Sequence, residues 1–171
     1  MKPPYYDSTY CMFLYLEPVR YLIRSLKFHA NYSCARLLGL LMTEHLRSLH
    51  APFPELIVPV PLHPNRLKQR GFNQSIELAR GVSARLGVPM PLDRCVRRRD
   101  TAPQSGLLSK QRRKNVKGAF EISQPIKQKH VAIFDDVITT GSTVNEMART
   151  LRNHGVEIIE IWSIARANLD S

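Results

Sequence analysis

Cysteine is scarce in this chain. Only Cys11, Cys34 and Cys95 occur in 171 residues, and their odd number and wide spacing exclude a disulfide framework or a CxxC metal site built within it. A reducing, cytoplasmic compartment is the expectation. Long apolar runs are missing as well. Leu37 to Met42 is among the longest, far short of the ~18 residues that suggest a membrane span. The opening Met-Lys-Pro-Pro-Tyr-Tyr-Asp lacks the apolar core of a signal peptide, and no repeat or low-complexity tract occurs. Acidic residues are few, 14 against 25 lysines and arginines, which leaves a formal charge of +11 and a pI near 10.0. That imbalance favours an anionic partner: a polyphosphate, a nucleic acid or both. The remaining composition, 43% hydrophobic and 23% charged, is that of an ordinary globular domain. One domain spanning residues 1–171 is expected.

Strand and helix signals alternate along the chain. Tyr10 to Leu16 suits a strand, and Glu17-Pro18 opens a helix that lines Val19, Leu22, Ile23 and Leu26 on one face. A second helix from near Asn31 to Leu49 follows from the recurrence of Cys34, Leu37, Leu38, Leu41, Met42 and Leu49, read as core packing. Leu56 to Val60 reads as a short buried strand running into a proline-bracketed loop. That loop turns basic at Arg66, Lys68 and Arg70, before a helix from about Ser75 that buries Ile76, Ala79, Val82 and Leu86 and stops at Gly87. From Arg97 to Lys117 eight lysines and arginines face one aspartate, so a mobile cationic loop is expected there. Ala119 to Ile122 is read as an edge strand. Val131 to Phe134 is a strand, followed by a helix to about Asn153, a stop at Gly155 and a last strand from Val156 to Ala165. This alternation argues for an α/β fold with a largely parallel central sheet and helices on both faces.

The most informative segment is Val-Ala-Ile-Phe-Asp-Asp-Val-Ile-Thr-Thr-Gly-Ser-Thr, residues 131–143. An apolar strand here delivers two acids, Asp135 and Asp136, to the carboxyl edge of a parallel sheet, where ligands gather. Two adjacent carboxylates suit a vicinal diol. The backbone amides of Thr139, Thr140, Gly141, Ser142 and Thr143, opening into a helix, suit a phosphate. A ribose 5-phosphate needs both. Two apposed carboxylates also repel each other and call for a compensating hydroxyl, cation or metal.

These residues resemble the phosphoribosyl pyrophosphate loop of type I phosphoribosyltransferases. A narrower resemblance, to the ComF family, is carried by Val58-Pro59-Val60-Pro61-Leu62, Arg70-Gly71-Phe72-Asn73-Gln74, Thr101 with Gln104, and Arg113 with Asn115 and Val116. Tyr21 to Phe28, with Ile23 and Lys27, is similar to that family's first helix. The resemblance implies a type I phosphoribosyltransferase-like fold with a small hood, to which residues of about 1–30 and 92–122 contribute the hood and a flexible loop. It implies that Asp135 and Asp136 take the ribose 2- and 3-hydroxyls and that Thr139 to Thr143 takes the 5-phosphate. Arg66, Lys68 and Arg70 become candidates for pyrophosphate, and Arg99, Arg112 and Arg113 become flexible-loop candidates for the same oxygens. Magnesium would arrive on the pyrophosphate and keep most of its waters, with no direct protein ligand. ComF proteins usually carry an N-terminal zinc ribbon of paired CxxC motifs, which this chain lacks. Either this member has lost the ribbon or the sequence begins downstream of it.

Two functions are therefore expected. One is a competence-linked phosphoribosyltransferase that displaces pyrophosphate from a ribose, with no catalytic base or acceptor identifiable. The other is a non-catalytic module that senses phosphoribosyl pyrophosphate or binds single-stranded DNA, with competence or DNA-processing proteins as partners. The cationic segment holds no aromatic ladder for base stacking, so DNA contact there would rest on phosphates. Of the six histidines, His63 lies in the pyrophosphate-side loop and the others read as helix or loop surface.

Overall fold

The computed structural model describes residues 3–49, 52–100 and 115–167. Four strands form the main sheet: β1 (Ser8–Leu14), β2 (Leu56–Pro59), β5 (His130–Ile138) and β6 (Ile158–Arg166), in the order β1-β6-β5-β2 with every pairing parallel. β3 (Cys95–Arg97) and β4 (Phe120–Ile122) make a separate antiparallel pair. The helices are α1 (Val19–His29), α2 (Tyr32–Ser48), α3 (Pro64–Arg70), α4 (Gln74–Leu86) and α5 (Ser142–Asn153).

Side chains of a strand alternate between its two faces, and the core divides accordingly. Ile57, Ala132, Phe134, Trp162 and Ile164 face α1, α2 and α4, where Ile23, Leu26, Leu38, Met42 and Leu78 are fully enclosed. Leu56, Val58, Val131, Ile133, Ile159 and Ile161 face α5 and the β3–β4 pair, against Val144, Met147, Leu151 and Phe120. An all-parallel sheet needs both faces covered, and this one has them covered.

From Ser8 the N-terminal segment joins the main sheet and core: β1 pairs with β6 and α1 packs in the main core. Other expectations are corrected. The basic stretch read as loop is helix α3, with His63 at its N-cap, Pro64 at its first position and Gly71 at its left-handed end. Half of the α2 stripe is not core, since Leu37, Leu41 and Leu49 are exposed; the buried face runs instead through Cys34, Ala35, Leu38, Met42 and Leu46. In α4 the buried positions include Leu78, Ala79 and Val82, with Ile76 and Leu86 only half-buried.

Candidate functional site

A cavity of about 340 Å³ opens where the parallel strands end. β5 supplies Asp135 and Asp136 to it, α1 supplies Lys27, the first turn of α4 supplies Gln74 and Ser75, and β3 supplies Arg97. The acids lie inside β5 rather than beyond it. Asp136 is buried at 4% exposure. Its Oδ2 is ion-paired with the Lys27 ammonium, and its Oδ1 lies 3.5 Å from Gln74 Nε2. Asp135 Oδ1 accepts from Ser75 Oγ at 3.1 Å and from the Asp136 backbone N–H at 2.9 Å.

The two carboxylates are thus in different electrostatic settings. Burial, and then the charge of Asp136, push Asp135 up to about 7 against the pull of Lys27. Burial acts upward on Asp136 too, but the Lys27 ammonium and the hydrogen bonds it receives outweigh that and hold it below the ordinary carboxylate range. Lys27 is raised in turn, the Asp136 carboxylate more than offsetting its burial. Desolvation of an ion pair is repaid only when the geometry is close and further hydrogen bonds complete it. Both conditions hold at Asp136.

After β5 the chain turns through Thr139 and Thr140 to Gly141, whose φ of 72° suits glycine because a Cβ is strained in that left-handed region. α5 begins at Ser142, after an N-cap glycine that offers no side chain and with no acid in its first turn; the Ser142 N–H donates to Thr140 Oγ1 at 3.4 Å. Its leading amides and the positive end of its dipole therefore face the cavity without a competing anion. Thr140 Oγ1 and Ser142 Oγ lie 2.8 Å apart, which fixes the turn from within. Arg66 and Arg97 also line the cavity, and the Arg97 guanidinium lies 5.6 Å from the Phe120 ring centroid. With Lys27 and Arg70 they bring four cations into the surroundings of two carboxylates, a net positive balance.

The family model described as a phosphoribosyl transferase domain matches residues 73–169, a stretch that contains the acid pair, the turn, α5 and β6. The chain is 40% identical to Competence protein F of Haemophilus influenzae, over 97% of this chain and 76% of that relative. It is 36% identical to the DNA utilization protein YhgH of Escherichia coli K12, over 96% of this chain and 74% of the relative. The chain belongs to the ComF family. Competence protein ComFC of Streptococcus pneumoniae is a more distant ComF relative, 25% identical over 93% of this chain and 68% of its own length. A purine phosphoribosyltransferase from Pyrococcus horikoshii overlays on 76% of this chain and 80% of its own with a TM-score of 0.44 at 18% identity, and adds nothing to the assignment. The α/β fold with a parallel central sheet, expected from sequence, is that of this ComF protein.

Of the residues singled out in this ComF sequence, Asp135, Asp136, Thr139, Gly141, Ser142, Thr143 and Arg66 line one cavity. Arg70 is set back from it and reaches the acids through Gln74, donating from Nη1 to Oε1 at 2.6 Å. Lys68 is exposed on α3. Arg99 points elsewhere, its guanidinium donating to the Lys117 carbonyl. Arg112 and Arg113, with Thr101 and Gln104, lie outside the described residues. His63 caps α3 and sits 3.4 Å from Asp100. His130 is not surface: it opens β5 and contacts Glu160 at 2.9 Å, while Glu160 also accepts from Trp162 Nε1 at 2.8 Å.

Sequence reasoning missed Lys27, Gln74, Ser75 and Arg97 as site residues. The available signal for Lys27 was its place one turn after Ile23 and beside Leu26, a charge on the buried face of an amphipathic helix. No group of three or more potential metal-ligating side chains occurs among the described residues, and no helix among them is long and apolar enough to cross a membrane.

Proposed function

We propose that this ComF protein binds phosphoribosyl pyrophosphate with its magnesium and transfers the phosphoribosyl group to an acceptor, releasing pyrophosphate, in a role linked to DNA uptake. One observation carries the reading: paired carboxylates and an acid-free helix start, backed by four cations, open onto a single cavity. The Thr139–Thr143 turn holds the 5-phosphate, the acid pair faces the ribose diol, and Arg66 and Arg97, with Arg70 and Lys68 behind, meet the pyrophosphate. Departure of pyrophosphate leaves positive charge on the sugar ring. Fixed carboxylates beside the ring and cations on the leaving group lower that barrier together. Magnesium carried by the pyrophosphate would neutralise leaving-group charge and keep its waters, so no protein ligand is asked of an acid pair in which Asp136 is already ion-paired with Lys27. The free thiols of all three cysteines support a cytoplasmic setting.

Thermal unfolding with magnesium, with and without phosphoribosyl pyrophosphate at about a hundred times its dissociation constant, tests this. Specific binding adds ~2.7 kcal/mol, a midpoint rise of roughly 5–10 °C for a chain of this size. The rise should vanish in the Asp135→Asn, Asp136→Asn double variant. No rise in the natural sequence would exclude the ligand.

A second reading, a non-catalytic ligand sensor or single-stranded-DNA binder, is favoured by the exposed face of α1. Tyr21 and Phe28 are 66% and 67% exposed and share a face with Arg24, whose guanidinium lies 6.0 Å from the Phe28 ring centroid. Aromatics interleaved with arginine are what unstacked bases and their phosphates engage.

A further inference from the structure

We infer that Glu146 is a positioning residue for the pyrophosphate end of the cleft: its buried carboxylate ties the β3–β4 pair to α5 and so holds Arg97 at the cavity. This rests on the ligand reading above and extends it to a residue that does not itself line the cavity. Glu146 lies one turn into α5 and is 9% exposed. A buried acid is costly unless its oxygens are satisfied, and both of these are. Oε1 accepts from the Gly118 N–H at 2.7 Å and from Arg149 Nη2 at 2.6 Å, and Oε2 accepts from Arg149 Nε at 3.2 Å. Burial acts upward on the carboxyl, but Arg149 and the Gly118 N–H hold it below the ordinary range. The pair with Arg149 alone would be a local helix contact of small worth. What distinguishes Glu146 is the backbone amide 28 residues away. From Gly118 the path to the cavity is short. Phe120 is the register partner of Arg97, the Arg97 guanidinium lies over its ring, and the Arg98 N–H donates to the Ala119 carbonyl at 2.9 Å. Val116, Ala119 and Phe120 also share a core cluster with Val144, Met147 and Ala148 of α5. The helix whose first amides face the 5-phosphate thus carries, one turn later, the anchor of an arginine that faces the pyrophosphate.

Titrations with phosphoribosyl pyrophosphate plus magnesium, and separately with ribose 5-phosphate, test this. Glu146→Ala should weaken phosphoribosyl pyrophosphate by about tenfold, the loss of one well-placed charge-assisted hydrogen bond, and leave ribose 5-phosphate within about twofold. Glu146→Gln, whose amide oxygen still accepts from Gly118, should bind both ligands as the natural sequence does. In an Arg97→Met background Glu146→Ala should cost no further affinity, because it acts through that arginine. Equal weakening of both ligands, additive losses in the Arg97→Met background, or a glutamine variant that behaves as the alanine one would each overturn the inference. If Glu146→Ala does not fold, Glu146→Asp, one methylene short of Gly118, takes its place. A second measurement needs no ligand. The Arg97 Nε–H resonance, displaced by the Phe120 ring, should move in Glu146→Ala and hold in Glu146→Gln, and an unmoved signal in Glu146→Ala overturns the anchor. A natural sequence that binds neither ligand would sink the ligand reading separately, with the resonance still deciding whether Glu146 places Arg97.

Discussion

Arg70 and Gln74 are joined by a 2.6 Å hydrogen bond from guanidinium to side-chain carbonyl. Gln74 in turn points its amide nitrogen at Asp136. The cationic helix α3 and the acid pair of β5 are therefore connected through the first turn of α4. Gln74 has one orientation that serves both contacts, with oxygen toward Arg70 and nitrogen toward Asp136. The site is pre-organised by this polar chain as well as by the sheet.

The pH dependence of stability should carry the signature of Asp135. An unfolded aspartate titrates near 3.8, whereas Asp135 in the fold does so at about 7. Between those values the folded protein holds a proton that the unfolded chain has released. Its contribution to stability is thus full below about pH 4 and lost as pH rises to about 7. Asp136, lowered in the fold, acts oppositely, its contribution present above 3.8 and lost on acidification. The groups facing Asp135 are Asp136 on its own strand, Lys27 on α1, Ser75 on α4 and Arg97 on β3. Asp135→Asn should flatten the decline in unfolding midpoint between pH 5 and 8 and leave the variant more stable at pH 8 than the natural sequence, by on the order of 1 kcal/mol. Parallel profiles for the two proteins would refute the assignment.

Gly141→Ala should destabilise through backbone conformation. The position holds φ of 72°, while a Cβ there would come no closer than 3.7 Å to the Tyr6 hydroxyl, an ordinary contact. The cost of the left-handed conformation is ~1–2 kcal/mol, or about 2–8 °C in midpoint. Calorimetry showing an unchanged midpoint would mean that the turn relaxes freely, against the fixed anion cradle proposed for it.

Glu160→Ala should lower stability while sparing the site. It removes the shared acceptor of His130 and Trp162, leaving a buried indole N–H without a partner at a cost of about 1–3 kcal/mol. His130 begins β5 and lies five positions, ~16 Å at strand rise, from Asp135. Urea unfolding should register the loss. A calorimetric titration with phosphoribosyl pyrophosphate should show affinity unchanged, and a weakened affinity would reveal coupling along the strand.

For single-stranded DNA, Tyr21→Ala and Phe28→Ala should each weaken binding by ~1–3 kcal/mol with little change in salt dependence, as stacking interactions do. Neutralising Arg112, Arg113 and Lys114 should instead lower the salt slope by roughly 0.7 for each phosphate that is no longer neutralised. Fluorescence anisotropy across a salt series distinguishes them. Aromatic variants that bind as well as the natural sequence would take α1 out of the DNA surface.

What was legible in the sequence is what local pattern encodes. The apolar run of Val131 to Phe134 and the hydroxyl-rich turn around Gly141 state their own geometry, so β5, α5 and the loop between them were readable. α3 was read as loop because its charged residues hide the helical signal, although His63-Pro64 and Gly71 bracket it with start and stop residues. The α2 stripe was overextended because a run of leucines is apolar on every side, and only tertiary packing decides that Leu38 is enclosed and Leu37 is not. Lys27, Gln74, Ser75 and Arg97 were not recognised as site residues because they are spread over three elements, α1, α4 and β3. Nothing in their local spacing encodes that those elements converge on Asp135 and Asp136.

That convergence ties recognition to global folding. The cavity borrows from α1 at position 27, α4 at positions 74 and 75, β5 at 135 and 136, and α5 at 142, and no short fragment of the chain holds them all. An excursion that peels α1 from the sheet would strip the ammonium from Asp136 and leave a buried carboxylate without its counter-charge. α1 and β5, far apart in the chain, are thereby tied together by this ion pair as well as by the packing of Ile23 and Leu26.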